Sequence, residues 1–299
     1  MSSNLAGNQA TERKRRIEKY FQPTPKDSLK QIAVALLAGG GIAVLLGLIL
    51  LSSQSFLAVL LFIGGGYALV QGAIRKARYK AEYEKAEPKP SDREMDRTLA
   101  LDLQQIEDRA MHRLGITADH LETGAASWDP VAALLADKMV ERPKKRPLVL
   151  YGPKLSDFGI GEDGVWRFKL YEVLVICPTV HHLAIYHCSL DFLSGGLSME
   201  DTEEYQYNHV VAVSTRTTPA PADLSLERLN TRDPEDDEVR FAKVLRRRLE
   251  VSVSNGQSIG VTVGITDEQD SSKQAVLQSS GIDEVIGSVR RVLRDHSRP

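Results

Sequence analysis

From Gln31 to Ile74 the chain carries no Asp, Glu, Lys, Arg or His, 44 residues in a protein that is 26% charged. A run of that length is no accident of composition, and on this reading it excludes a wholly soluble protein. Ser52-Ser53-Gln54-Ser55 divides it into two apolar stretches, 31–51 and 56–74. At about 1.5 Å of rise per residue, each is long enough as a helix to cross a hydrocarbon core of about 30 Å. The four-residue break forces an antiparallel transmembrane hairpin, so both flanks lie on one side. Glycine runs at 39–41 and 64–66 argue against a single continuous core helix.

The flanks orient the hairpin. Residues 1–30 carry seven basic and three acidic side chains, among them Arg13, Lys14, Arg15, Arg16 and Lys19, and 75–86 carry five basic and two acidic. Positive charge is retained on the cytoplasmic side, so both termini are expected there, on a multi-pass protein of the inner (plasma) membrane. The same charges would meet anionic headgroups of the bilayer. Small residues recur at four-residue intervals: Ala35, Gly39, Ala43 and Gly47 in the first span, Gly64, Ala68 and Gly72 in the second. Such stripes let helix backbones approach closely, which predicts helix packing within the hairpin or between copies. No acid–base side chain lies in either span, so an ion path through them is not expected.

Composition excludes other classes. Two cysteines cannot build a disulfide scaffold, and in a reducing compartment Cys177 and Cys188 should be free thiols. A net charge of −2 is not that of a nucleic-acid-binding chain, so nucleic acid is not an expected partner.

Beyond the hairpin, 75–145 reads as a helical neck and 146–299 as a β-rich domain. Ser91 with Glu94 three residues on resembles a capping box. Leu99, Leu103, Ile106, Ala110 and Leu114 then make one helical stripe that packs on the domain or pairs with copies of itself, and Gly115 stops the helix. Asp129-Pro130 starts a second helix reaching about Val140. From Leu148 the period becomes two. Tyr171, Val173, Val175 and Cys177 share one strand face, as do Ala184, Tyr186, Cys188, Leu190 and Phe192 on the next strand. A third strand is expected to carry Tyr205, Tyr207, His209, Val211 and Val213. Residues 216–239 read as an exposed insertion. Around Asn255-Gly256, matching the two apolar sets requires Val253 opposite Ile259 and hence an odd-length loop or a bulge. Ser280 is expected to cap a closing helix with Ile282, Ile286, Val289 and Leu293 on its apolar face.

The fold class read from this order is α+β: a two-helix transmembrane hairpin and a cytoplasmic antiparallel β domain closed by a C-terminal helix. The segments YEVLVICPTVHHLAIYHCSLDFLSGG, EEYQYNHVVAVST, LEVSVSNGQSIGVTV and IDEVIGSVRRVL, spanning roughly 165–296, resemble bacterial pleckstrin-homology-like (PH-like) domains. The stretch is also similar to uncharacterised bacterial membrane proteins, from which no activity carries over. The resemblance implies a domain that binds proteins or lipids rather than one that catalyses.

Site chemistry is sparse. Cys177, His181, His182, His187 and Cys188 lie within twelve residues, but Cys188 and His187 point to opposite faces and no CxxC is present, so no metal and no cofactor is expected. An enzyme or metal-dependent sensor built on Cys177 and His182 is the alternative. No nucleophile elbow, phosphate loop or HExxH occurs, and no catalytic residue is assigned. The carboxylate runs Glu200-Asp201 and Glu203-Glu204 read as solvated edges. Lys243, Arg246, Arg247 and Arg248, with Arg290 and Arg291 of the closing helix, are the candidate contact for lipid or a protein partner. The expected role is a non-enzymatic scaffold, sensor or regulator whose partner is an unknown protein, lipid, or a second copy. An oligomerising membrane effector is a further alternative.

Overall fold

The structure, a computed structural model, describes residues 2–50, 56–122, 129–135, 145–155, 157–220, 226–227, 240–241, 244–267, 275, 277 and 282–296. It divides into two compact units, one built on residues 19–89 and the other on 1–18 and most of 90–299.

The first unit is dominated by α2 (Asp27–Leu50) and α3 (Phe56–Ala86), both long and apolar enough to cross a membrane. Only 17% of each apolar window is buried within the protein, and side chains such as Ile42, Leu45, Ile49, Leu57 and Ile63 face outward. The seam between the helices differs from the four-residue stripes. Ala33, Gly40 and Gly47 are buried on α2, and Ala58, Gly65 and Gly72 on α3. This is a seven-residue repeat on each helix, because two turns bring a position back to a neighbouring helix running alongside. A Cβ on Gly40 would lie 2.9 Å from the Gly65 carbonyl oxygen, and one on Gly65 would lie 2.8 Å from the Gly40 oxygen. Of the stripe positions, Gly47 and Gly72 do lie in the seam and Ala43 and Ala68 flank it. Ala35, Gly39 and Gly64 are exposed, with open space around both glycines.

The second unit begins with the larger part of α1 (Ser2–Phe21). Arg13 clamps the Asp102 carboxylate at 2.7 and 2.5 Å and donates to the Phe192 carbonyl at 3.0 Å. Arg16 meets Glu94. These two arginines of the basic leader are therefore ion-paired. Their partners lie on α4 (Asp92–Leu114), whose start and stop follow the sequence signals: Ser91 Oγ accepts from the Glu94 N–H, and Gly115 closes it with φ of 63°. Asp129 accepts from the N–H groups of Val131 and Ala132, opening α5 (Pro130–Leu135). The expected continuation to Val140 lies outside the described residues.

The β elements are β1 (Leu148–Pro153), a small hairpin of β2 (Phe158–Ile160) and β3 (Trp166–Phe168), then β4 (Leu170–Pro178), β5 (His182–Asp191), β6 (Gly196–Gln206) and β7 (Val210–Pro219). A two-residue pair, β8 (Leu226–Glu227) and β9 (Arg240–Phe241), precedes β10 (Val244–Val253), β11 (Ser258–Asp267) and α6 (Ile282–His296). Antiparallel neighbours run β1-β4-β5-β6 in one sheet and β11-β10-β7 in the other. Leu174, Ile176, Leu183 and Ile185 pack against Leu249, Val251 and Val261, and α6 adds Val285, Ile286, Val289 and Val292 to the same core. The opposite faces of β4 and β5 meet α4, which buries Leu99, Leu103, Ile106 and Ala110. Both strands are buried on two faces for that reason.

Two expectations are corrected. The single third strand is two: a 3-10 turn at Tyr207–His209 ends β6, and β7 belongs to the other sheet. The Asn255-Gly256 loop is odd in length, but Val251 rather than Val253 lies opposite Ile259, and Val253 N–H instead closes the loop on the Gln257 carbonyl. The apolar face of α6 keeps the expected Ile286, Val289 and Leu293 and is widened by Val285 and Val292. Ser280, its expected cap, lies outside the described residues.

One fully buried arginine ties the β2–β3 hairpin to α4. Arg167, 1% exposed, pairs with Asp96 at 2.9 Å and Asp163 at 2.7 Å and approaches Asp92 at 3.7 Å. Its hydrogen bonds, reinforced by its charge, hold the Asp163 carboxyl below the usual carboxylate range. A buried guanidinium requires such partners, because desolvation would otherwise outweigh any packing gain.

Two substitutions test these packings. A Cβ on Gly152 would fall 1.5 Å from the Thr262 carbonyl oxygen, where β1 meets β11. Gly152→Ala should destabilise the domain by about 3 kcal/mol, since overpacking against backbone cannot be relieved by a rotamer change; thermal unfolding in detergent reads this. In the hairpin, Gly40→Leu should lower resistance to SDS unfolding while Gly39→Leu leaves it unchanged.

Candidate functional site

In antiparallel strands, residues directly opposite share a face. On β5 the inward sequence Leu183, Ile185, His187 begins in the core and ends on an imidazole. The partners on β6 are Tyr205, Glu203 and Asp201 respectively. The core therefore gives way, along one direction, to a polar end. Ile185, His187, Asp201, Glu203, Arg248, Ser258, Ile259 and Gly260 line a cavity of about 210 Å³ there.

Arg248 is committed within this site. It pairs with Glu172 at 3.0 Å and donates to the Gly260 carbonyl at 2.5 Å. His187 Nδ1 stands 4.0 Å from Asp201. Two atoms are shielded from water yet have no hydrogen-bond partner among the described residues: His187 Nε2 and Glu203 Oε2. Burial lowers the His187 pKa and favours the neutral ring. Burial, reinforced by the Asp201 charge, raises that of Glu203.

A second polar network lies on the α4 side of the same sheet. Arg109 grips Glu200 through two 2.7 Å bonds, and the Tyr186 hydroxyl donates to Glu200 at 2.7 Å. These donors depress the Glu200 carboxyl to about 2. The network is internally satisfied and fastens β6 to α4. Asp102 on the same helix is raised, because burial outweighs the Arg13 charge beside it.

The positions singled out from sequence disperse. Lys243 lies outside the described residues. Arg246 and Arg248 are half-buried while Arg247 is exposed, at a point where the β10–β11 register shifts. Arg290 reaches the Val213 carbonyl at 3.2 Å and Arg291 is exposed on α6. The structure thus draws Arg248 into a carboxylate-lined cavity rather than assembling one basic patch. Cys177 and Cys188 are fully buried free thiols, each pushed up to about 12 by burial, which suppresses the thiolate needed for nucleophilic or ligand chemistry. His182 turns instead to the Thr179 hydroxyl at 3.2 Å. Among the described residues no three His, Cys, Asp or Glu side chains are placed to hold a metal ion. Sequence reasoning missed Glu172, Asp201 and Glu203; their placement depends on the cross-strand register, although the alternation of Asp201, Glu203 and Tyr205 was a usable signal. No protein family, curated protein or solved structure matches this chain.

The His187 environment predicts a pH dependence. A folded-state pKa below the unfolded one means the unfolded chain binds more protons, so stability falls as pH drops through the ordinary histidine range near 6.5. His187→Gln should flatten the loss of thermal stability between pH 7 and pH 5; an unchanged slope would place the titrating group elsewhere.

Proposed function

We propose that this protein is a membrane-anchored, non-enzymatic interaction module, with the hairpin crossing the inner membrane and both termini in the cytoplasm. The observation that carries the reading is architectural. A four-strand meander, a three-strand meander and a closing helix stand in one chain with two membrane-compatible helices. That order supports the PH-like reading of the β domain and, through it, a role in binding a partner. The carboxylates and arginines nearest to one another hold elements together, as Arg13 with Asp102 and Arg167 with Asp96 and Asp163 do. Of the two partner classes, a protein is favoured over anionic lipid, because Arg248 is already neutralised by Glu172.

A second reading, association of hairpins into oligomers, draws support from Gly39 and Gly64, which face outward with nothing within 4 Å. It requires that Gly39→Leu reduce crosslinking between copies while leaving each hairpin intact.

The anchoring reading is tested with tags at both ends of the full chain. The protein should stay with membranes through an alkaline carbonate wash, and both tags should be cleaved only in inverted vesicles. Release into the wash, or cleavage in right-side-out vesicles, would refute it.

A further inference from the structure

We infer that α6 ends in a proton-operated clasp: with its ring charged, His296 fastens the last helical turn to the turn between β4 and β5, and loss of the proton loosens it. The inference goes beyond the interaction-module reading and does not depend on it.

A neutral imidazole carries one N–H and one bare nitrogen, whereas the imidazolium donates from both. His296, the last residue of α6, has a backbone carbonyl against each ring nitrogen. The Val292 oxygen lies 3.0 Å from Nδ1 and the Val180 oxygen 3.2 Å from Nε2. A carbonyl oxygen only accepts, so either neutral tautomer would turn a nitrogen lone pair toward an oxygen lone pair. The doubly protonated ring alone makes both bonds, one within the helix and one across to the β4–β5 turn.

Three further features favour the charge. Glu122 Oε1 lies 4.0 Å from Nε2. Tyr207 lays its ring against the imidazole, with centroids 4.1 Å apart and planes 26° from parallel, and an aromatic face attracts a cation. The C-terminal turn of a helix is also the negative end of its dipole. Each of these partners is itself held in place. The Tyr207 hydroxyl donates to the Thr179 carbonyl at 2.5 Å, and the Glu122 N–H donates to the Pro178 carbonyl at 2.9 Å. On the β4–β5 turn His182 is taken by the Thr179 hydroxyl and His181 is exposed, as are Arg294 and Asp295 on α6.

The proton is bound in the clasped state and given up on release, so the clasp is firmest at low pH and loosens as pH rises. This is opposite in sign to His187, whose burial favours the neutral ring. Opening uncovers the Tyr207 ring and leaves the last turn of α6 held by the packing of Val292 and Leu293.

The test is hydrogen–deuterium exchange read by mass spectrometry on the full chain in detergent micelles, with each rate divided by the intrinsic chemical rate at that pH. Peptides covering 289–296 should lose protection by about tenfold or more between pH 6 and pH 8.5, while peptides within β5 keep theirs. His296→Gln, at a position 22% exposed, should make protection of 289–296 flat across that range. Glu122→Gln should move the loss to lower pH. Protection of 289–296 that is flat in the unaltered protein, a loss that persists in His296→Gln, or an equal loss throughout β5 would overturn the inference.

Discussion

A peptide group removed from water must find its partner within the protein. Over 31–50 and 56–74 no side chain is charged, and the backbone closes its bonds locally as helix. On the proposed membrane reading, what remains is how two such helices hold together where lipid would compete equally for apolar side chains. Here the answer is close backbone approach at Gly40 and Gly65, which lets many weak contacts act at short range.

The same demand shapes the β domain differently. Two meanders enclose one core, and α4 covers the outer face of β4 and β5, so strands that would otherwise face water are buried twice. Where an element's end must be buried, a charge network satisfies it: Arg167 among Asp92, Asp96 and Asp163, and Arg13 across Asp102. Buried polar atoms without a partner among the described residues occur both in such a network, at Arg13 Nε, and in the polar cavity, at His187 Nε2 and Glu203 Oε2.

Much of this was legible from residue order. The apolar block, the Ser91 and Gly115 caps, the alternation through β4 and β5 and the odd loop at Asn255-Gly256 all express local rules. The small-residue seam was not legible, because glycines at 39–41 and 64–66 offer three candidate faces each, and only the helix crossing selects Gly40 and Gly65. Nor was the break at Tyr207–His209, where an uninterrupted alternation conceals a change of sheet. Arg13 and Arg16 look identical to their basic neighbours in sequence; their pairing with residues about ninety and eighty positions away is a tertiary fact. The cavity escaped for the same reason, being assembled from four strands.

The claim on which the account turns is that lipid surrounds the outward faces of α2 and α3. Single cysteines placed along 31–50 and 56–74, with labelling by a membrane-impermeant maleimide in intact vesicles, measure it directly. The account predicts no labelling on any face, at Leu45 and Ile49 as much as at Gly40 and Gly47. Labelling that rises and falls with helical period, strong at Leu45 and Ile49 and absent at Gly40 and Gly47, would show water where the account requires hydrocarbon.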